Sequence, residues 1–435
     1  MKSKFMYLFT TACIATAFTA CNDDDGNEII DQPGGNVTER VADTPVQLQI
    51  KQMANTYAST SDAAATPEES KVGATLDIFV FDDSGIYETY VNKNLTASGP
   101  DTYLTDTFML STGSKYFYAF TNVPGNQFLM PSSGSTRQAF ELNPIQVTSV
   151  ADLATDNQFY IGTLVASQTA VTGTATDDPQ TISLEVGRLA SKVMLSESPA
   201  TPNISGNLKG VMSAPEYRLV NIPNQLYTVG QWDRAFKQPG SQVRTPFYTL
   251  SSFSGYFFAN PTDWSGSKGR GEVFYAIENT NQEPLRGQAT AAQIKYIYTP
   301  DATEIYDKDN LRQNGTLSGT DFWIAEFENG NRLIYNGDIS GVAHPDYGIP
   351  KSVTKYTDGE CFYTVYLADN TEATPSLKYA VIRNHYYELK VNNIYRLGNN
   401  TDDITDPVDP VEKVVEIEVE IEVLPWFYIP QEVDL

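Results

Sequence analysis

The sequence predicts a mostly β protein built in two domains, and three observations carry that expectation. Aromatic residues make up 12%, with 26 Tyr and 21 Phe against 4 Trp, a composition suited to pleated, half-buried surfaces. Thr and Val recur in short alternating runs broken by Gly, Pro and Asn, the punctuation of strands and turns. The last run, 414–423, alternates almost without a flaw: Val415, Ile417, Val419, Ile421 and Val423 share one face, and Glu416, Glu418, Glu420 and Glu422 share the other. A chain of 435 residues is long enough for two domains that each bury a core.

At the amino terminus, Lys2 and Lys4 precede an apolar stretch from Phe5 to Phe18 and the small residues Thr19 and Ala20, the pattern of a secretory signal over 1–20. Cys21 directly after the small residues resembles the lipobox of bacterial lipoproteins, with Cys21 as the acylated first mature residue; Phe18 departs from the usual Leu. With Cys13 lost in the signal and Cys21 taken by lipid, Cys361 stands alone and no intramolecular disulfide forms. Residues 21–43 read as an acidic tether.

Next comes a short alternating strand in which Val46, Leu48 and Ile50 face one way, followed by a polar loop to residue 70. Residues 71–200 read as a first β-domain, with 76–81 as a core strand, 115–122 as an aromatic strand, and 181–185 and 189–195 as a strand pair. Two prolines in 196–205 mark the expected boundary, and a second β-domain runs over 201–398. Helical turns are expected only near 150–156 and 260–266. Residues 399–435 read as an acidic, flexible linker followed by the closing strand. A strand that cannot bury its stripe alone, hung on a tether, is suited to completing a sheet elsewhere.

Chemistry is sparse. The formal net charge of −25 argues against nucleic acid and anionic membrane surfaces as direct partners. His344 and His385 are the only histidines, which leaves little material for a triad or a histidine metal site, and no phosphate loop or nucleophile elbow is present. The Asp402, Asp403, Asp406 and Asp409 cluster lacks the glycine and terminal Glu of a calcium loop. The expectation is therefore a protein that is not an enzyme, with no cofactor and no metal.

The ordered combination of Cys21, the early strand before an exposed loop, the 71–81 segment, Glu278-Asn279-Thr280-Asn281, Gly359-Glu360-Cys361-Phe362-Tyr363, Arg383-Asn384-His385-Tyr386-Tyr387 and the Asp/Pro linker leading to Leu424-Pro425-Trp426 resembles the fimbrillins of Bacteroidales, specifically minor-fimbrium (Mfa-type) shaft subunits. The resemblance implies two β-sandwich-like (transthyretin-like or Greek-key) domains and export as a palmitoylated outer-membrane lipoprotein precursor. It further implies a trypsin-like protease that removes the first strand (Val46, Leu48, Ile50), and a donor strand (Val415, Ile417, Val419, Ile421, Val423, anchored by Trp426) that fills the emptied groove of a neighbour. The implied product is a cell-surface fimbrium, a head-to-tail filament of copies of this chain and other fimbrial subunits that serves adhesion and biofilm formation, with a host or bacterial surface receptor as a further partner. Lipoprotein-processing enzymes are implied as well.

The processing site departs from the family, because 53–70 contains no Arg or Lys. Cleavage after Lys51 would release the strand, whereas cleavage after Arg40 would shed the lipid and leave the strand in place. An uncut chain would follow the logic of a lipidated anchor subunit. A non-polymerising surface lipoprotein that binds glycans or protein, with Tyr256, Phe257, Phe258 and Trp264 as an aromatic platform, is the alternative of a different class.

Overall fold

The computed structural model describes residues 42–52, 71–99, 101–123, 130–141, 143–146, 153–155, 158–164, 167–198, 208–229, 261–279, 284–404, 406–411 and 417–425. The first strand, Thr44–Gln52, is not an edge strand. It runs parallel to Gln180–Arg188, with Val46 opposite Gln180 and Ile50 opposite Leu184. On its other side it runs antiparallel to Thr102–Thr105 and Phe108–Leu110. From there the ladder continues through Tyr87–Gly99, Thr75–Asp82 and Gly113–Thr121. Ile161–Thr163 pairs with both Gly113–Thr121 and Gln180–Arg188, so the pairing circuit closes on itself. Inside lie Val46, Leu48, Ile50, Leu76, Ile78, Val80, Phe117, Ile182 and Leu184.

Within Thr75–Asp82, residues 78–81 are apolar at every position because both faces are covered. Leu76, Ile78 and Val80 fill the closed sheet, while Phe79 and Phe81 join Tyr118, Phe120 and Phe140 in a second aromatic layer. That layer also takes Ala190, Met194, Ile277 and Tyr386 from the next sheet, so it welds the two halves of the described chain.

The second half is a sandwich. One sheet orders Val273–Ile277, Ala190–Glu197, His385–Ile394 and Ile417–Pro425. The facing sheet is built on Ala291–Pro300, flanked by Glu216–Val220 and Glu360–Tyr366. Their inner faces share Val193, Leu195, Tyr217, Ile294, Tyr296, Tyr363, Tyr387 and Leu389. A four-stranded lobe, Ile305–Tyr306, Phe322–Glu326, Arg332–Tyr335 and Ser352–Tyr356, carries a small core of its own around Phe327, Leu333 and Tyr335.

The fold class expected from sequence therefore holds: mostly β, sandwich-like, with few helices. Two details differ. Residues 181–185 and 189–195 are not a pair: Gln180–Arg188 belongs to the first sheet and Ala190–Glu197 to the second. The chain passes from one sheet to the other at Leu189, and burial is unbroken from Val186 to Leu195. The described α-helices are Arg137–Glu141 and Pro375–Lys378, with short 3-10 helices at Ala302–Glu304 and Thr357–Gly359. Near the two expected helical turns, Ala154–Thr155 pairs with Gln158–Phe159 as a small hairpin, and 261–266 is turn and bend.

Candidate strand-exchange site

Two strands of equal length and like pattern occupy very different places. Thr44–Gln52 and Ile417–Pro425 are nine residues each. In the first, Val46, Leu48 and Ile50 are fully buried, and its polar face meets neighbours through Gln47 Nε2 donating to Thr181 Oγ1 at 2.8 Å and Ser183 Oγ donating to Gln49 Oε1 at 3.1 Å. Leu48 N donates to Thr105 Oγ1 at 2.9 Å. Since both edges of this strand are paired, its departure would strip backbone partners from 180–186 and from 102–110 and uncover the closed core.

Among the described residues the closing strand is an edge. It pairs antiparallel there with His385–Ile394 alone, Leu389 opposite Ile421 and Val391 opposite Val419, with a bulge between Val391 and Asn393. Ile417 and Ile421 are buried in the sandwich core, whereas Val419 and Val423 are only partly covered. Leu424, on the opposite face, packs on the aromatic layer between the halves. The glutamate face is also read by its neighbour. Glu422 Oε2 accepts from Lys390 Nζ at 3.1 Å, and Glu418 Oε2 accepts from Asn393 Nδ2 and the Tyr395 hydroxyl, both at 2.7 Å. That last bond holds the Tyr395 phenol above its usual range. For Lys390, burial works against the charge, but the bond to Glu422 and the adjacent Glu388 outweigh it and raise the ammonium above its ordinary value.

The linker is not a free tether. Phe362 and Asn399 exchange backbone bonds of 2.9 and 2.8 Å. Asp402 Oδ2 accepts from Arg218 Nη2 at 2.8 Å and from Trp264 Nε1 at 3.0 Å, and Gln293 Nε2 donates to the Asp402 carbonyl at 2.6 Å. Further on, Gly287 N donates to Pro407 O, Arg286 N to Asp409 O, and Val411 N to Pro284 O. Pro407 lies so close to Gly287 that a Cβ there would meet it at 2.7 Å, which explains a glycine at that turn. Composition suggested a solvated linker because the acids dominate it. The partner residues, Arg218, Trp264 and Gln293, sit more than a hundred residues away in the chain and left no local signal.

Of the other residues singled out from sequence, Cys21, Arg40, Val415 and Trp426 lie outside the described residues, as do Tyr256, Phe257 and Phe258. Trp264 is no open platform: its ring lies 4.5 Å from Arg218 Cζ and 4.9 Å from Lys295 Nζ, and its N–H is taken by Asp402. Lys51 is exposed but sits in the ladder, opposite Glu185 on one side and Thr102 on the other. Lys71, just before Thr75–Asp82, is exposed and outside any strand. Cys361 is fully buried, and that burial pushes its thiol up to about 12. No group of three or more metal-ligating side chains occurs among the described residues, and none of their helices is long and apolar enough to cross a membrane.

A closed sheet with a buried first strand, joined to a sandwich whose last strand is an edge among the described residues, makes a mostly β protein with two strands of equal length and like alternation in unlike places. The family model described as Major fimbrial subunit protein type IV, Fimbrillin, C-terminal, matches residues 354–432. This fimbrillin-like region spans the slot strand His385–Ile394, the linker and the closing strand. No curated protein sequence matches the chain. A candidate cell adhesion protein from Parabacteroides distasonis shares the fold with TM-score 0.51 and 13% identity, covering 88% of this chain and 99% of that one. A fimbrilin from Porphyromonas gingivalis is similar at TM-score 0.47 and 12% identity, over 90% and 100% of the two chains. The tip fimbrial protein Mfa3 from the same organism is similar at TM-score 0.38 and 14% identity, over 88% and 100%.

Proposed function

We propose that the chain is a structural subunit of a fimbrium, polymerised by strand exchange, in which the closing strand of one copy fills the place of the first strand in the next. One observation carries this reading: the two strands match in length and alternation, but the first is paired on both edges and the closing strand on one. Moving the closing strand into the first strand's place would give its backbone a second ladder and bury Val419 and Val423 completely. At about 1.5–3 kcal/mol for a fully buried aliphatic side chain, completing the burial of two valines contributes on the order of 2 kcal/mol, with the second ladder added. The contact joins unlike surfaces, so it does not close on itself and propagates as a filament.

The fimbrillin-like region supports the same reading, as does the amino-terminal pattern, in which Cys21 would carry lipid and route the precursor to the outer membrane. Adhesion and biofilm formation follow as properties of a surface filament. In the folded chain the strand is released by cutting after the exposed Lys71, since Lys51 is held in the ladder on both sides.

The test replaces Val419 and Val423 together by Asp. At an edge with partial exposure both are tolerated, so the monomer keeps its melting temperature within a few degrees; in a central slot they bury two charges, and filaments are lost. Filaments of normal length from V419D/V423D, seen by electron microscopy after protease treatment, would sink the proposal.

A further inference from the structure

The acidic stretch after Gly398 is expected from composition to be slack, yet its described residues, 399–404 and 406–411, are fastened to the sandwich. Arg218 is almost fully buried, and Asp402 is the anionic partner that its guanidinium reaches. The other groups on that guanidinium are neutral: Gln293 Oε1 accepts from Nε and Nη2 at 3.0 and 2.8 Å, and Asp263 O accepts from Nη1 at 2.7 Å. Trp264 stacks over the same guanidinium and donates to the same carboxylate oxygen, so one aspartate closes a clasp of cation, indole and amide. Downstream, Ile404 and Val411 pack on Val220, Ala289, Ala291 and Tyr366, which adds an apolar seam to the polar one.

Where the fastening ends decides how far the closing strand travels. With Val411 held to Pro284, the chain from there to Ile417 covers at most about 20 Å. With the strap undocked back to Gly398, the reach grows to about 65 Å. The first distance keeps the strand near its own slot on His385–Ile394, and the second spans to a neighbouring molecule.

We propose that the strap over residues 399–411 is an autoinhibitory latch, closed by Asp402 on Arg218 and Trp264, and that its release is the step that lets the closing strand leave its own sheet for a second copy of this chain. The destination rests on the strand-exchange reading above; the latch itself is measurable in the monomer. In the full chain, Asp402→Ala strands a buried guanidinium among neutral acceptors, and amide hydrogen exchange in 417–425 accelerates about tenfold while 75–121 stays as protected as in the parent. Trp264→Phe keeps the ring and loses the N–H donor, and gives a smaller acceleration in the same segment; it carries the test if the Asp402 variant fails to fold. Faster exchange confined to the strap's contacts, at Gly287 and Arg286 beneath it and at Val411 in it, with the closing strand unchanged overturns the latch, and so does no change in either. Polymerisation after protease treatment is scored in parallel. A freed strand without filaments from either protein retains the latch and overturns the fimbrial reading, whereas filaments at equal rates with unchanged exchange retain the fimbrial reading and overturn the latch.

Discussion

Lys390 shows how much a single side chain on the slot strand contributes to holding the closing strand. Its ammonium lies between Glu388 of its own strand, at 3.4 Å, and Glu422 of the closing strand, at 3.1 Å. Glu388 and Glu422 are themselves opposite each other in the ladder, so without the lysine two carboxylates would face across the pair. The raised affinity of Lys390 for its proton means that docking binds the proton more tightly than the free strand does. The stabilisation is therefore fully present below the ordinary value of 10.5 and is lost as pH rises beyond it, toward the raised value. A dye on a cysteine replacing the exposed Glu420, in a chain with Ser at 13 and 21, reports this as anisotropy, and Cys361 does not compete for label because it is buried with its thiol pushed up to about 12. The strand is expected to loosen as pH rises past 10.5 in the parent, and Lys390→Met to be looser by about 1 kcal/mol at neutral pH with a smaller alkaline step, the remainder coming from the Tyr395 phenol on Glu418. An alkaline transition of equal size in the methionine variant would remove Lys390 from this role.

At the level of elements, the closing strand was legible because period-two alternation is a local signal that survives without tertiary context. The burial of Ile417 and Ile421 on the slot strand was not, since a stripe shows that a face is covered and not by what. The first strand was likewise visible as Val46, Leu48 and Ile50, but its central place depends on parallel pairing with a strand more than a hundred residues on. For the proposed exchange, that pairing sets which lysine is open to cleavage. A trypsin-like protease must draw its target into an extended, unpaired conformation, and Lys51 has ladder partners on both sides, while Lys71 is exposed ahead of its strand. Brief trypsin treatment of the folded chain should thus yield a new amino terminus at Val72 well before any at Gln52, by at least about tenfold in rate if opening the central strand costs more than 1.4 kcal/mol. Amino-terminal sequencing over a time course checks it. A terminus at Gln52 appearing first would mean that the first strand opens more easily than its burial implies.

For the whole molecule, length and strand count suggest two domains but carry no sign of the aromatic layer that lies between the sheets. Phe79 and Phe81 alternate with Ile78 and Val80 as any core strand does, and nothing local says that the second face meets Met194 and Tyr386. Charge acts at the same scale. The full chain has formal net charge −25 and repels its own copies, and under the proposed exchange the closing strand would carry Glu418, Glu420 and Glu422 into a place whose outward neighbours are Thr181, Ser183 and Glu185. In the resident strand Lys51 stands opposite Glu185; the closing strand has no cation at any outward position, so its arrival adds an acid beside an acid. Both effects oppose encounter and seating, and both are screened within a Debye length of about 10 Å at 0.1 M salt. Polymerisation of protease-treated subunits should accelerate about tenfold between roughly 20 and 200 mM salt, followed by light scattering. Glu185→Gln, which removes the acid beside the slot but leaves the net repulsion, should flatten part of that dependence and raise the low-salt rate. A rate that falls with added salt would instead mean that the strand is drawn in by attraction, and would require a cationic acceptor surface that the slot's outward neighbours do not supply.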